Sequence, residues 1–171
     1  GNVNHVWERE CSLQRRNQKI IEIAPSPTLN ENQRQTIIAS ACHFAKQLNY
    51  QGLGTFEYLV DADHTDNFYF MEVNPRVQVE HTVTEEISGV DLVASQIQLA
   101  AGATLESLQL THTLPRKGFA IQARVNTESL DKDGNAKAAA GRLRSYQTPS
   151  GPGTRVDHCG YAAYSVNPTY D

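Results

Sequence analysis

Three side chains with oxygen or amide heads recur where a hard cation could use them: Glu57, then Glu72 and Asn74. Glu72 and Asn74 are two apart in a run rich in β-branched and aromatic residues, so on a strand they share one face. Glu57 lies in a similar run upstream. If the two runs form a hairpin that pairs Val60 with Tyr69, Glu57 falls opposite Glu72. Facing carboxylates repel unless positive charge sits between them. A Mg²⁺ ion, which takes one or two carboxylates and completes its shell with phosphate oxygens, would relieve that repulsion. The rival reading is a solvated acidic face neighboured by Lys or Arg. A second charged feature is the basic run Arg15-Arg16-Asn17-Gln18-Lys19.

The elements that must position these groups follow from periodicity. Val3 to Glu10 and Lys19 to Ile23 alternate as strands do. Asn30, with Gln33 three residues on, caps a helix whose apolar stripe is Ile37, Ile38, Ala41, Phe44, Ala45 and Leu48. Gln51-Gly52-Leu53-Gly54 ends it. The runs Thr55 to Val60 and Phe68 to Val73 read as strands around the polar loop Asp61 to Asn67. Helical stretches follow from Val83 to Ile87 and from Asp91 to Ala101, broken at Gly89, the second burying Leu92, Val93, Gln96 and Leu99 to Ala100.

Pro115-Arg116-Lys117-Gly118 marks a junction, dividing the chain into 1–115 and 116–171. Beyond it, Phe119, Ile121, Ala123 and Val125 alternate with Gln122, Arg124 and Asn126 as a half-exposed strand. Residues Asp131 to Gly141 read as loop, Arg142 to Thr148 as a strand, and Pro149 to Gly153 as a tight turn. Strands and helices mixed, with antiparallel hairpins, point to an α+β fold.

Composition narrows the function classes. The chain has 171 residues, 39% hydrophobic, and 15 basic against 19 acidic residues for a net charge of -4. That balance argues against a nucleic-acid partner, which needs clustered cations. No apolar run approaches the roughly 20 residues of a membrane span. The cysteines Cys11, Cys42 and Cys159 form no CxxC pair and read as reduced thiols. No histidine pair has metal-ligand spacing, and an opening without Met or an apolar stretch argues for a segment of something longer.

The run Glu72-Val73-Asn74-Pro75-Arg76-Val77-Gln78-Val79-Glu80-His81, with Val83-Thr84-Glu85 after it, resembles the signature of the biotin carboxylases, a branch of the ATP-grasp enzymes. Glu10-Cys11-Ser12-Leu13-Gln14-Arg15-Arg16-Asn17-Gln18-Lys19 resembles a second motif of that family. A third, Gly151 to Asp157 and then Gly160-Tyr161 to Tyr170-Asp171, resembles the start of the family's C-terminal domain. The three stand in order with appropriate spacing. The resemblance implies a partial ATP-grasp fold, an antiparallel sheet with flanking helices, in 1–115. The first strands of the biotin carboxylase C-terminal domain would then occupy 116–171.

The chemistry that it implies is ATP-dependent carboxylation of biotin through carboxyphosphate. Glu80 matches the base that deprotonates bicarbonate, and Lys19 and Arg76 match positions that hold the anion. The backbone amides around Gln78 and Val79 match the rest of that cradle. Glu57, Glu72 and Asn74 match ligands for Mg²⁺ or Mn²⁺ beside ATP, Gln14 a position near the nucleotide, and Arg155 the arginine that stabilises the biotin enolate. Bland rivals remain: Glu80 and His81 as exposed polar residues before a helix, Lys19 as part of a basic edge, and Arg155 as a partner of Asp157. His81 reads either as orienting a neighbouring carboxylate or as making a structural hydrogen bond.

Asn17 stands where most of the family has His, which bears on nucleotide contact, and Thr82 replaces a frequent Pro. Expected partners are bicarbonate, biotin carried on another domain or subunit, a carboxyltransferase and the rest of the biotin carboxylase chain, the parent being a homo-oligomer. No membrane partner is expected. A cytoplasmic location is implied, with the mitochondrial matrix as the eukaryotic alternative. The alternatives in function are another ATP-grasp ligase of carbamoyl phosphate synthase type and a non-catalytic remnant serving as an interaction module. The family's N-terminal domain and glycine-rich lid lie outside the stretch that the resemblance covers. The purified segment alone is therefore predicted not to turn over ATP; bicarbonate- and biotin-stimulated phosphate release from it would overturn that expectation.

Overall fold

The computed structural model describes residues 2–64 and 66–167. They divide into two compact units, 1–124 and 125–171. In the first unit, strands β1 (Glu10–Arg15), β2 (Gln18–Ala24) and β5 (Ala120–Ala123) form an antiparallel sheet in the order β1-β2-β5. Helix α1 (Glu31–Gln47) follows β2, and β3 (Thr55–Val60) and β4 (Phe68–Asn74) make a separate hairpin. Helices α2 (His81–Ser88) and α3 (Leu92–Ala100) come after it. The antiparallel pairings and the separate helices agree with the α+β reading.

Local sequence explains most element ends. Asn30 and Gln33 form a reciprocal capping box at the start of α1. Gly89 closes α2 in the left-handed region at φ 73°, where glycine carries no Cβ penalty. The β1–β2 loop is two residues long, and both Arg16 (φ 51°) and Asn17 (φ 66°) are left-handed. That is the geometry of a type I′ hairpin turn, and Asn is among the side chains that tolerate it. Asn17 thus has a backbone reason to be there.

Several expectations shift. Residues 3–9 pair with no strand, and β1 begins only at Glu10. Their polar groups bond across the sequence instead: Asn4 Nδ2 donates to the carbonyls of Leu110 and His112, and Trp7 Nε1 to that of Leu114. The core is small: Ala24, Val83 and Ile87, with Trp7 and Ala120 against them. Of α3 only Leu92 is buried; Val93 is 42% exposed, and Gln96, Leu99 and Ala100 are not buried either. The helix is tied to α2 through its first turn, where the Leu92 N–H donates to Glu85.

Strand β5 keeps the expected alternation but turns its other side inward. Phe119, Ile121 and Val125 are exposed, whereas Gln122 and Arg124 are half-buried. The junction expected at 115/116 lies within the first unit, because β5 pairs with β2 beyond it.

In the second unit, β6 (Glu128–Leu130) pairs with β7 (Ala136–Ala138), and β8 (Gly141–Arg142) with β9 (Ser165–Val166). The stretch 131–141, expected as loop, thus contains β7. Asp131 nucleates its turn by accepting from the N–H groups of Asp133 and Asn135. The strand expected over Arg142 to Thr148 is confined to its first residue, while a turn at Gly151 is present, with the Thr154 N–H donating to its carbonyl. Tyr170 and Asp171, the end of the third motif, lie outside the described residues.

Ile87 is 1% exposed at the centre of the core. Ile87→Ala should lower stability by about 2–5 kcal/mol in urea unfolding, whereas Val93→Ala on the open side of α3 should change it by less than about 0.5 kcal/mol. Equal losses would contradict this division of burial.

Candidate functional site

The β3–β4 hairpin sets Glu57 opposite Glu72. The register behind that pairing differs from the expected one: Val60 pairs with Phe68, not Tyr69, and a bulge between Glu57 and Tyr58 absorbs the extra residue, Met71. A bulge changes the register partway along a ladder, so the expected pairing of the glutamates holds at one end while the other end slips.

Asn74 reconciles the two carboxylates. Its Nδ2 donates to Glu57 Oε1 at 3.0 Å and to Glu72 Oε1 at 2.8 Å. Glu57 Oε1 also accepts from Lys19 Nζ and from Gln78 Nε2, both at 2.8 Å. Burial alone would raise the Glu57 pKa, but the bonds from Lys19 and Gln78 bring it below the usual carboxylate value. The Asn74 N–H group thus lies between the two carboxylates where a cation was expected. Turning the amide over would present Oδ1 beside the two carboxylates, the oxygen donor types that a hard divalent cation takes.

Lys19, at the start of β2, carries the hairpin's charge to a second carboxylate. Its Nζ donates to Glu80 Oε1 at 2.8 Å. Glu80 immediately precedes α2 but makes no side-chain cap bond there. It turns instead toward cations: Arg124 Nη2 donates to its Oε2 at 2.9 Å, and Arg9 Nη2 lies 3.7 Å from Oε1. Glu80 is 2% exposed. Burial would push its pKa up, yet the Lys19 hydrogen bond and the charges of Arg9 and Lys19 hold it below the ordinary value. The same bonds to carboxylates raise the Lys19 pKa against its own desolvation, so the ammonium stays charged.

Arg9 and Arg124 are site residues that sequence reasoning did not single out. Arg9 Nη2 donates to Gln78 Oε1 at 2.5 Å, and its guanidinium also reaches the Thr55 and Thr84 hydroxyls at 3.4 Å. Gln78 therefore links Arg9 to Glu57 by its side chain. Arg124 was legible only as the polar member of an alternating strand. Its Nη2 also lies 3.5 Å from Glu22 Oε1, and Glu22 has no exposed surface. A lone carboxylate inside the apolar run Ile20-Ile21-Glu22-Ile23-Ala24 was the available signal.

Other expected site residues have local partners. Arg76 is exposed and donates to the Val77 carbonyl at 3.1 Å. Val79 is 60% exposed. Gln14 is exposed and donates to the Cys11 carbonyl at 2.9 Å. The His81 ring bonds the Gln78 carbonyl through Nδ1 at 2.8 Å, the structural role that was one of its two readings. Arg155 belongs to the second unit, where its Nε donates to Asp157 Oδ1 at 3.1 Å, both side chains being exposed. Such an exposed pair contributes little stability.

The chain matches the family model described as the carbamoyl-phosphate synthase L chain, ATP binding domain, over residues 1–108. It is 49% identical to a pyruvate carboxylase of Aspergillus niger over its whole length, spanning 14% of that protein. It is 46% identical to a biotin carboxylase of Nostoc sp., again over all of this chain and 37% of that protein. Among solved structures it is similar to the biotin carboxylase domain of Hydrogenobacter thermophilus 2-oxoglutarate carboxylase, solved with MgADP, ADP and bicarbonate. There the TM-score is 0.88 and the identity 42%, covering 99% of this chain and 36% of that one. The chain thus spans well under half of each of these relatives.

The buried pair has a pH signature. The Glu80 pKa is depressed in the fold, so its stabilising contribution is present above the unfolded value near 4.5 and is lost as pH falls through the lower folded value. Lys19→Met removes one partner of this buried carboxylate, with Arg124 still paired to it, and should cost about 1.5–3 kcal/mol near neutral pH. The difference between wild type and variant should shrink at pH below 4.5. A difference constant from neutral to acid pH in urea unfolding would contradict the pairing.

Proposed function

Because the chain belongs to the carbamoyl-phosphate synthase L chain ATP-binding family, and is a biotin carboxylase-type segment of it, we propose that it supplies the bicarbonate-activating half of an ATP-dependent biotin carboxylation site. One observation carries this reading: Lys19 Nζ joins the buried Glu80 to Glu57, each at 2.8 Å. A base for bicarbonate and a carboxylate suited to metal-bound nucleotide are thereby held on one ammonium. Identity that continues past residue 108 to the end of the chain favours a carboxylase over a carbamoyl phosphate synthase. The ordered charge cluster speaks against a remnant without catalysis, since a buried ion network is costly to keep.

In this reading Glu80 takes the proton of bicarbonate, so that an oxygen can attack the terminal phosphate of ATP and give carboxyphosphate. Proton removal must come from a positioned group, because bicarbonate itself is a weak nucleophile. Lys19 and Arg76 hold the anion, with the amides near Gln78 and Val79 beside them; Arg76 reaches it by leaving the Val77 carbonyl. Arg9 and Gln78 fix the geometry behind Glu57. Glu57, Glu72 and Asn74 would hold Mg²⁺ or Mn²⁺, which neutralises phosphate charge during transfer. Arg155 would stabilise the enolate of biotin brought by a carrier domain or subunit, with Gln14 near the nucleotide. A carboxyltransferase then passes the carboxyl group on, and the complete enzyme is a homo-oligomer. The family boundary at 115/116 remains our division of the chain, distinct from the compact units.

In the full-length protein, Glu80→Gln should lower bicarbonate-dependent ATP cleavage by about 10²–10⁴-fold while nucleotide affinity is kept. Glu57→Gln should instead raise the Mg²⁺ concentration needed for half-maximal rate. Wild-type bicarbonate dependence in Glu80→Gln would sink the assignment of the base.

A further inference from the structure

Glu22 has no role in the scheme above, yet it is the most deeply buried carboxylate beside it. Its relative exposure is 0%, and neither of its oxygens has a hydrogen-bond partner. Leaving a buried polar group unsatisfied is costly, and more so if it is charged. An apolar side chain could continue the run of β2 without that cost. Such an orphan asks for a reason.

Its neighbourhood supplies one. Oxygens of Glu22 and Glu80 and the Cys11 sulfur lie within 4.8 Å of one another. Arg124 Nη2 faces both carboxylates, at 3.5 Å from Glu22 Oε1 and 2.9 Å from Glu80 Oε2. Arg9 and Lys19 add positive charge from the segment before β1 and from β2 itself. Three cations surround this trio, which disfavours a metal ion there, and burial lifts the Cys11 thiol to about 11. What it offers is two carboxylates of unlike character. Burial pushes the Glu22 pKa up against the opposing charge of Arg124, while cations keep that of Glu80 down. Carboxylates whose environments separate them in this way divide acid and base roles.

We infer that Glu22 is the second proton site of this centre, receiving across the gap spanned by Arg124 the proton that Glu80 removes from bicarbonate. This rests on the reading of Glu80 as that base. The bicarbonate O–H bond breaks and an O–H bond forms on a Glu80 oxygen. Glu80 then gives that proton to a bridging water as the water gives one of its own to Glu22. Glu80 returns to its anionic form and Glu22 becomes a neutral acid, with no net change in protons or electrons. At 2% exposure Glu80 has little direct access to bulk water. A neutral Glu22 also sheds the desolvation cost of its charge.

The test uses the full-length protein and follows bicarbonate-dependent ATP cleavage against pH. Glu22→Gln keeps the shape but cannot accept the proton. It is expected to lower kcat by about 10-fold or more, with KM for ATP and bicarbonate unchanged. Its acid limb should move to lower pH, toward the titration of Glu80 alone. Glu22→Asp, which keeps a carboxyl at longer reach, should fall between wild type and Glu22→Gln. A wild-type kcat, or an acid limb that does not move, would overturn the proposal even if stability or KM changed. Should Glu22→Gln fail to fold, the Glu22→Asp profile decides: a displaced limb supports the relay and a superimposable one overturns it. Glu80→Gln separates the two readings. If it retains bicarbonate-dependent cleavage, the base assignment itself fails; if it is dead while Glu22→Gln behaves as wild type, only the relay fails.

Discussion

A single ammonium group ties the first unit's chemistry together. Lys19 Nζ sits 2.8 Å from an oxygen of Glu57 on the hairpin and 2.8 Å from an oxygen of Glu80 before α2. Desolvation raises the pKa of each carboxylate, and Lys19 is among the partners that bring both below the usual value. The β1–β2 turn at Arg16 and Asn17 brings Lys19 to the start of β2. Sheet, hairpin and helix start thus meet at one charge.

Around it the network is balanced rather than merely acidic. Arg9, Lys19 and Arg124 stand against Glu22, Glu57 and Glu80. Buried ion groups of this kind are weak evidence for stability, since desolvation offsets much of the Coulombic gain. They are better understood as a device for holding groups in position. Arg124 illustrates the cost: to reach Glu80, β5 turns its polar side inward and leaves Phe119, Ile121 and Val125 outside.

The hairpin shows how irregularity can serve placement. A regular ladder continued from Val60 and Phe68 would set Glu57 opposite Met71, on the other face from Glu72. The bulge at Met71 restores the Glu57–Glu72 pairing, and Asn74 then bridges the two acids. The bulge re-aims one side chain, a common use of the extra residue.

The sequence by itself determined the α+β class, the capped helix α1, the hairpin, the breaks at Gly89 and Gly151, and the residue types of the site. These are local matters, fixed by backbone preference and by spacing within one element. Family motifs, which are contiguous, were legible for the same reason. Tertiary structure decided which face of β5 turns inward, how little of α3 is buried, and that residues 3–9 bond to distant carbonyls rather than to a strand. It also decided that Arg9, Arg124 and Glu22 join Glu80. Those contacts link residues 44 to 71 positions apart, as in Arg124 to Glu80 and Arg9 to Glu80. Periodicity says that one face of a strand differs from the other. Only the charges waiting in the interior determine which one is drawn in.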